Sequence, residues 1–91
     1  MKSFRAILKG YVQGVGFRYY AMRMAQRFGN IKGFIRNLPD GSVEVVAEGP
    51  DEALESFLDS IKQGPSAAII ERVEVEWLPY TGQYRDFTVK Y

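Results

Sequence analysis

The run Gly10-Tyr11-Val12-Gln13-Gly14-Val15-Gly16-Phe17-Arg18 holds residue types that bind oxyanions. A strand-like stretch enters two closely spaced glycines, and an arginine falls in the first turn of the helix-like stretch that follows. Glycines let main-chain N–H groups curl toward one point, and a helix N-terminus favours negative charge. Arginine adds a permanent cation with forked donors. The segment reads as a cradle for a phosphate-like group. It is neither a Walker A loop, which ends in Gly-Lys-Ser/Thr, nor a dinucleotide fingerprint, which has a third glycine. Gly14 and Gly16 alone could simply ease a tight turn. Arg18 adds more, because a cation at that point opposes the helix dipole by about 0.3–1 kcal/mol. Helical side chains lean back toward the N-terminus, so Arg18 faces the loop, and a bound anion there turns the penalty into attraction. The competing reading is a solvated surface arginine.

The chemistry available elsewhere is narrow. The chain has no cysteine and no histidine. Disulfides, thiol nucleophiles and Ser–His–Asp or Cys–His mechanisms are excluded. A zinc site would need carboxylates alone, an unusual donor set. Any catalysis must rest on positioning, fixed charge and water. Twelve basic and eleven acidic residues give a net charge of +1, without the basic excess of a general nucleic-acid or membrane-surface binder. No apolar run reaches membrane-spanning length and no secretory pattern opens the chain, so a cytoplasmic protein is expected. The 91 residues suit one domain, expected over 1–91.

The elements that must position the loop follow from periodicity. Phe4, Ala6, Leu8, Gly10 and Val12 alternate with Arg5, Lys9 and Tyr11, a half-buried strand over Ser3 to Val12. Phe17, Ala21, Met24, Ala25 and Phe28 follow helical spacing, and Gly29-Asn30 ends that helix. Ile31–Leu38 and Ser42–Gly49 read as a hairpin across Pro39-Asp40-Gly41, with Glu44 and Glu48 on the face opposite Val43, Val45 and Ala47. Pro50, at a first helical position, opens a second helix with the stripe Leu54, Phe57, Leu58 and Ile61. Ile69–Leu78 is a fourth strand with Trp77 as a core residue and Glu71, Glu74 and Glu76 on a solvated face. Pro79–Arg85 is a loop, and Phe87, Val89 and Tyr91 alternate in a short last strand. The order βαββαβ plus that strand is a ferredoxin-like split βαβ sandwich of the α+β class, an antiparallel sheet with two helices on one face.

In that topology the first two strands run parallel with the third between them, so their C-terminal ends share a sheet edge about 10 Å apart. The Gln13–Arg18 loop and Asn37 should therefore meet across a shallow cleft. Asparagine before a turn is usually structural. At this edge it is also a candidate for holding a water, since a carboxamide both accepts and donates but removes no proton at neutral pH. Tyr19 and Tyr20 read as packing or rim residues. Lys32-Gly33-Phe34 matches part of an RNA-recognition signature, but on the second strand and without the aromatics that should follow.

Val12-Gln13-Gly14-Val15-Gly16-Phe17-Arg18, then Gly33-Phe34-Ile35-Arg36-Asn37 and Asp40-Gly41-Ser42-Val43-Glu44, resemble the acylphosphatases. The likeness continues through Glu48-Gly49-Pro50 and Gly64-Pro65 to Tyr91. The resemblance implies hydrolysis of carboxyl-phosphate anhydrides to a carboxylate and inorganic phosphate by direct attack of an oriented water. It casts Arg18 and the main-chain amides of Gln13, Gly14, Val15, Gly16 and Phe17 as the phosphate site, and Arg18 and Asn37 as the catalytic pair. A small-molecule acyl phosphate is the implied partner, with phosphate or sulfate able to occupy the site. No metal or organic cofactor, nucleic acid or membrane is implied. Tyr11 stands where the family often has a basic residue, and Leu38-Pro39 where a hydroxyl residue is common. Two rivals are a non-enzymatic anion or RNA-binding module on the same fold, and a domain serving a larger carbamoyl-transfer system. The chain's length argues against the second.

Overall fold

Strand alternation at the N-terminus becomes β1 (Lys2–Tyr11), whose Phe4, Ala6 and Leu8 are wholly buried. The computed structural model describes residues 1–91. Helix α1 (Phe17–Phe28) buries Phe17, Ala21 and Ala25 and stops where the Gly29 N–H bonds the Ala25 carbonyl at 3.1 Å. Strands β2 (Lys32–Asn37) and β3 (Val43–Gly49) pair as the expected hairpin. Helix α2 (Asp51–Gln63) buries Leu54, Phe57, Leu58 and Ile61. Pro50 stands one position outside it, with extended backbone, rather than at the first helical position. Its carbonyl still accepts the Leu54 N–H at 2.8 Å, and Asp51 and Glu52 supply the favourable first-turn charge. Strands β4 (Ile69–Leu78) and β5 (Phe87–Val89) complete the chain.

The sheet order is β4-β1-β3-β2-β5. β1 and β2 both run antiparallel to β3, so they point the same way and end at the same edge. Both helices lie on one face, over a core built from Phe4, Leu8, Ile35, Val45, Leu54 and Phe57 with their neighbours. One pairing departs from an all-antiparallel sheet: β5 runs parallel to β2. The 79–86 connection causes this by carrying the chain across the sheet from the β4 edge to the β2 edge.

That connection also covers Glu48, and neither it nor Glu44 on the same face of β3 is open to solvent. Both are only 3% exposed. The Glu48 carboxylate accepts the Thr81 hydroxyl (2.7 Å) and the N–H groups of Thr81 (3.0 Å) and Gly82 (2.9 Å). Glu44 accepts the guanidinium Nε of Arg5 and of Arg36 from the two flanking strands. Tyr84 lies edge-on to Phe34 on the same face. Trp77 departs in the opposite sense. It is 48% exposed because β4 is an edge strand, with its ring edge-on to Phe4 and the Lys2 ammonium above it. Glu71, Glu74 and Glu76 are exposed, as their alternation suggests.

Candidate active site

The end of β1 and the start of α1 are both pinned by burial, with Val12 at 1% exposure and Phe17 at 2%. Gln13 to Gly16 must therefore turn sharply between two fixed points. Gly14 (φ 73°) and Gly16 (φ 79°) take left-handed backbone conformations. A Cβ added to either would meet nothing within 4 Å, so the dihedral and not lack of room requires glycine.

The helix then begins with its donors unspent. The first helical bond is Tyr20 N–H to the Gly16 carbonyl at 3.0 Å, so the N–H groups of Phe17, Arg18 and Tyr19 lack a helical acceptor. No side chain caps this end, and the first turn holds no acid. The positive pole of α1 therefore meets no acidic side chain in its own first turn.

The site opens as a cavity of about 350 Å³ lined by Gly14, Gly16, Phe17, Arg18, Asn37 and apolar neighbours. The topology thus brings the glycine loop, the arginine and the β2 asparagine to one place. Arg18 joins none of the molecule's ion pairs. Its guanidinium carbon lies 5.3 Å from the Tyr91 ring centroid, which steadies a cation without neutralising it. Asn37 sits at the last register pair of the hairpin, opposite Val43. The turn beyond it is held by Leu38 N–H to the Ser42 carbonyl (2.8 Å) and by the Asp40 carboxylate, which accepts the Ser42 N–H (2.9 Å) and hydroxyl (2.5 Å). Those two Ser42 bonds hold the Asp40 carboxyl below its ordinary pKa.

Two of the anticipated loop residues do not line the cavity. Val15 packs against the core. Gln13 turns its side chain away, and its amide nitrogen donates to the carbonyls of Leu38 and Ser42, both at 2.9 Å. The Gln13 side chain therefore ties the loop to the turn that carries Asn37. Sequence reasoning assigns Gln13 only a main-chain role, because nothing local to it names acceptors 25 and 29 residues away. It also misses the wall formed by Met22, Val89 and Tyr91. The alternation Phe87, Val89, Tyr91 is the one signal that could have placed the C-terminal ring on the helix side. Tyr19 lines the rim, and Tyr20 instead donates its hydroxyl to the Ser60 carbonyl on α2 at 2.8 Å. Arg18 is the only lining residue with a charged side chain, and no aspartate, glutamate, histidine or cysteine side chain lines the cavity.

A family model described as Acylphosphatase matches residues 4–89. An acylphosphatase of Thermus thermophilus is 58% identical over 72 residues, covering 79% of this chain and 81% of the relative. One from Thermotoga petrophila is 46% identical over 91 residues, covering 100% of this chain and 99% of its own. The crystal structure of acylphosphatase from Bacillus subtilis superposes with a TM-score of 0.93 at 35% identity, over the whole of both chains.

Proposed function

The chain belongs to the acylphosphatase family and is a hydrolase of acid anhydrides, and from that premise we propose how its own residues divide the work. Arg18 and the main-chain amides of the Gln13–Phe17 loop hold the phosphoryl group of an acyl phosphate, and Asn37 orients the attacking water. The supporting observation is a single cavity that joins an unpaired guanidinium, an uncapped helix N-terminus and a carboxamide.

The water oxygen forms a bond to phosphorus as the bond from phosphorus to the acyl oxygen breaks. The carboxylate leaves with that electron pair, and the proton shed by water passes to a phosphoryl oxygen. A carboxylate is a weak base, so its departure needs neither a general acid nor a metal ion. Phosphoryl transfer of this kind is loose, and catalysis comes from positioning and from matching the charge that spreads over the equatorial oxygens. The guanidinium fork and oriented N–H groups are donors suited to that charge. Asn37 accepts from water and donates to a phosphoryl oxygen, but it takes no proton. The working unit is one domain over residues 1–91, acting on a small-molecule acyl phosphate in the cytoplasm. Inorganic phosphate or sulfate occupies the same cradle as a product-like inhibitor.

The test is hydrolysis of benzoyl phosphate beside a simple phosphomonoester, with a chelator present. The anhydride turns over and the ester, with its poor leaving group, does not. Arg18→Gln lowers kcat/KM by about 10³-fold or more and abolishes inhibition by inorganic phosphate. Asn37→Ala lowers kcat by about 10²-fold while phosphate still inhibits. Near-native turnover by Arg18→Gln would refute the assignment, and loss of phosphate inhibition in Asn37→Ala would give Asn37 a different role.

A further inference from the structure

We propose that exposed cations on α1 and around β2 and β5 form an electrostatic guide, a surface that draws the anionic acyl phosphate toward the glycine loop and strengthens the hold on inorganic phosphate there. The proposal rests on the acyl-phosphate reading above and adds residues that act on the substrate without touching it.

The net charge of +1 hides an uneven distribution. Helix α1 carries Arg18, Arg23 and Arg27 and no acidic residue. Helix α2 carries Asp51, Glu52, Glu55 and Asp59 against Lys62, and β4 carries Glu71, Glu74 and Glu76 against Arg72. Folding keeps these groups apart, because α1 packs over β2 and β5 at one edge of the sheet and α2 over β1, β3 and β4. Lys32 at the start of β2, with Arg85 and Lys90 on either side of β5, joins the α1 half, where Asp40 and Asp86 are the acids.

Pairing sharpens the contrast. Lys2, Arg5, Lys9, Arg36 and Arg72 each meet a carboxylate. Arg18, Arg23, Arg27, Lys32, Arg85 and Lys90 meet none, and all but Arg18 are exposed. The remaining unpaired cation, Lys62, follows Ser60 at the end of α2, where the Ser60 carbonyl accepts the Tyr20 hydroxyl of α1. The cavity opens in this same half, lined from α1, the end of β2 and the chain at and after β5 besides the loop. Arg23 stands just outside it, its guanidinium carbon 5.7 Å from the ring centroid of the rim residue Tyr19.

Grouped cations without partners repel one another, and an anion entering their field offsets that repulsion. An acyl phosphate carries nearly two negative charges at neutral pH. The molecule is 31 Å in its longest dimension. The screening length is about 30 Å at 0.01 M salt and about 3 Å at 1 M, so the field of the α1 half reaches the loop at low salt and is lost at high salt. Attack by neutral water leaves the total charge of the bound substrate unchanged up to the transition state. Remote cations therefore stabilise bound substrate and transition state alike, and they act on KM rather than kcat.

The experiment measures kcat and KM for benzoyl phosphate, and the Kd of inorganic phosphate by calorimetry, in sodium chloride from about 0.01 M to about 1 M. The parent is compared with three double variants: Arg23→Gln with Arg27→Gln, Arg23→Glu with Arg27→Glu, and Arg23→Lys with Arg27→Lys. Neither arginine lines the cavity. At the lowest salt the glutamine pair is expected to raise KM about threefold and the glutamate pair about tenfold, with kcat unchanged and the phosphate Kd rising in parallel. The lysine pair is expected to match the parent, because the field depends on charge and not on the guanidinium fork. At the highest salt all four proteins are expected to converge, whereas structural damage would lower kcat and persist in salt. A KM and phosphate Kd that ignore both charge changes at low salt, or a difference undiminished at the highest salt, overturns the guide. Failure of the parent to hydrolyse benzoyl phosphate would instead overturn the activity on which the guide depends.

Discussion

In the proposed site, Gln13 sets geometry without touching substrate. Its amide nitrogen spends both hydrogens on the Leu38 and Ser42 carbonyls, joining the phosphate loop to the turn after Asn37. On the proposed mechanism, the separation between phosphorus and the attacking water depends on that brace. Gln13→Ala is expected to lower kcat about tenfold with a smaller change in phosphate inhibition, because misplacement of water harms turnover more than anion binding. Gln13→Glu is expected to be worse, since it sets a carboxylate against two carbonyl oxygens. Steady-state kinetics on benzoyl phosphate decide the matter, and an unchanged kcat in Gln13→Ala would remove the brace from the mechanism. Arg18→Lys should recover little of what Arg18→Gln loses. A point-charge ammonium cannot present two parallel donors, nor stack as a planar cation on Tyr91.

At the scale of elements, the site is a helix start held against two strand ends. The Gly16 backbone has the left-handed conformation that lets α1 begin immediately after β1 ends, with Phe17 already buried. Gly16→Ala meets no steric neighbour, so its cost is the backbone conformation alone, about 1–2 kcal/mol. Chemical denaturation should show a loss of that size with an unchanged slope. Activity should fall further than stability, because relaxing φ at Gly16 re-aims the first helical N–H groups. A variant as active as the parent would mean that those groups do not hold the phosphoryl oxygens. The legible parts here were the elements themselves. Alternation marked β1 and β3, helical spacing marked α1 and α2, and the glycines marked both helix ends. The misreadings lay at edges: Pro50 just outside α2 and Trp77 half exposed on the edge strand β4.

At the scale of the whole molecule, two buried carboxylates on the face away from the helices contribute to its acid sensitivity. Burial alone would raise the Glu44 carboxyl, but Arg36 and Arg5 hold it below its ordinary value. Burial acts the same way on Glu48, and hydrogen bonds from Thr81 and Gly82 again bring it below its ordinary value. A carboxyl depressed in the folded state stabilises the fold above its unfolded pKa, with an ordinary value of 4.5, and loses that contribution as pH falls through the folded pKa. Thermal stability should therefore change little from pH 7 to about 5 on account of these two groups and drop below that. Glu48→Gln should lower Tm at pH 7 by about 4–8 °C, the equivalent of about 1 kcal/mol, and make the acid limb shallower. A melting series whose acid limb is identical in the variant would show that Glu48 is not one of the groups responsible.

By itself the sequence determined the element order, the fold class and the glycine loop, because periodicity and turn chemistry are local, and it put forward Arg18 and Asn37 as candidates for holding phosphate and water. It could not reveal the fate of Glu44 and Glu48, since alternation gives a side chain's face but not what later crosses that face. Nor could it reveal the Gln13 brace or the Tyr91 ring beside Arg18. Those contacts join residues far apart in the chain, and only closure of the sheet and packing of α1 against β5 bring them within reach.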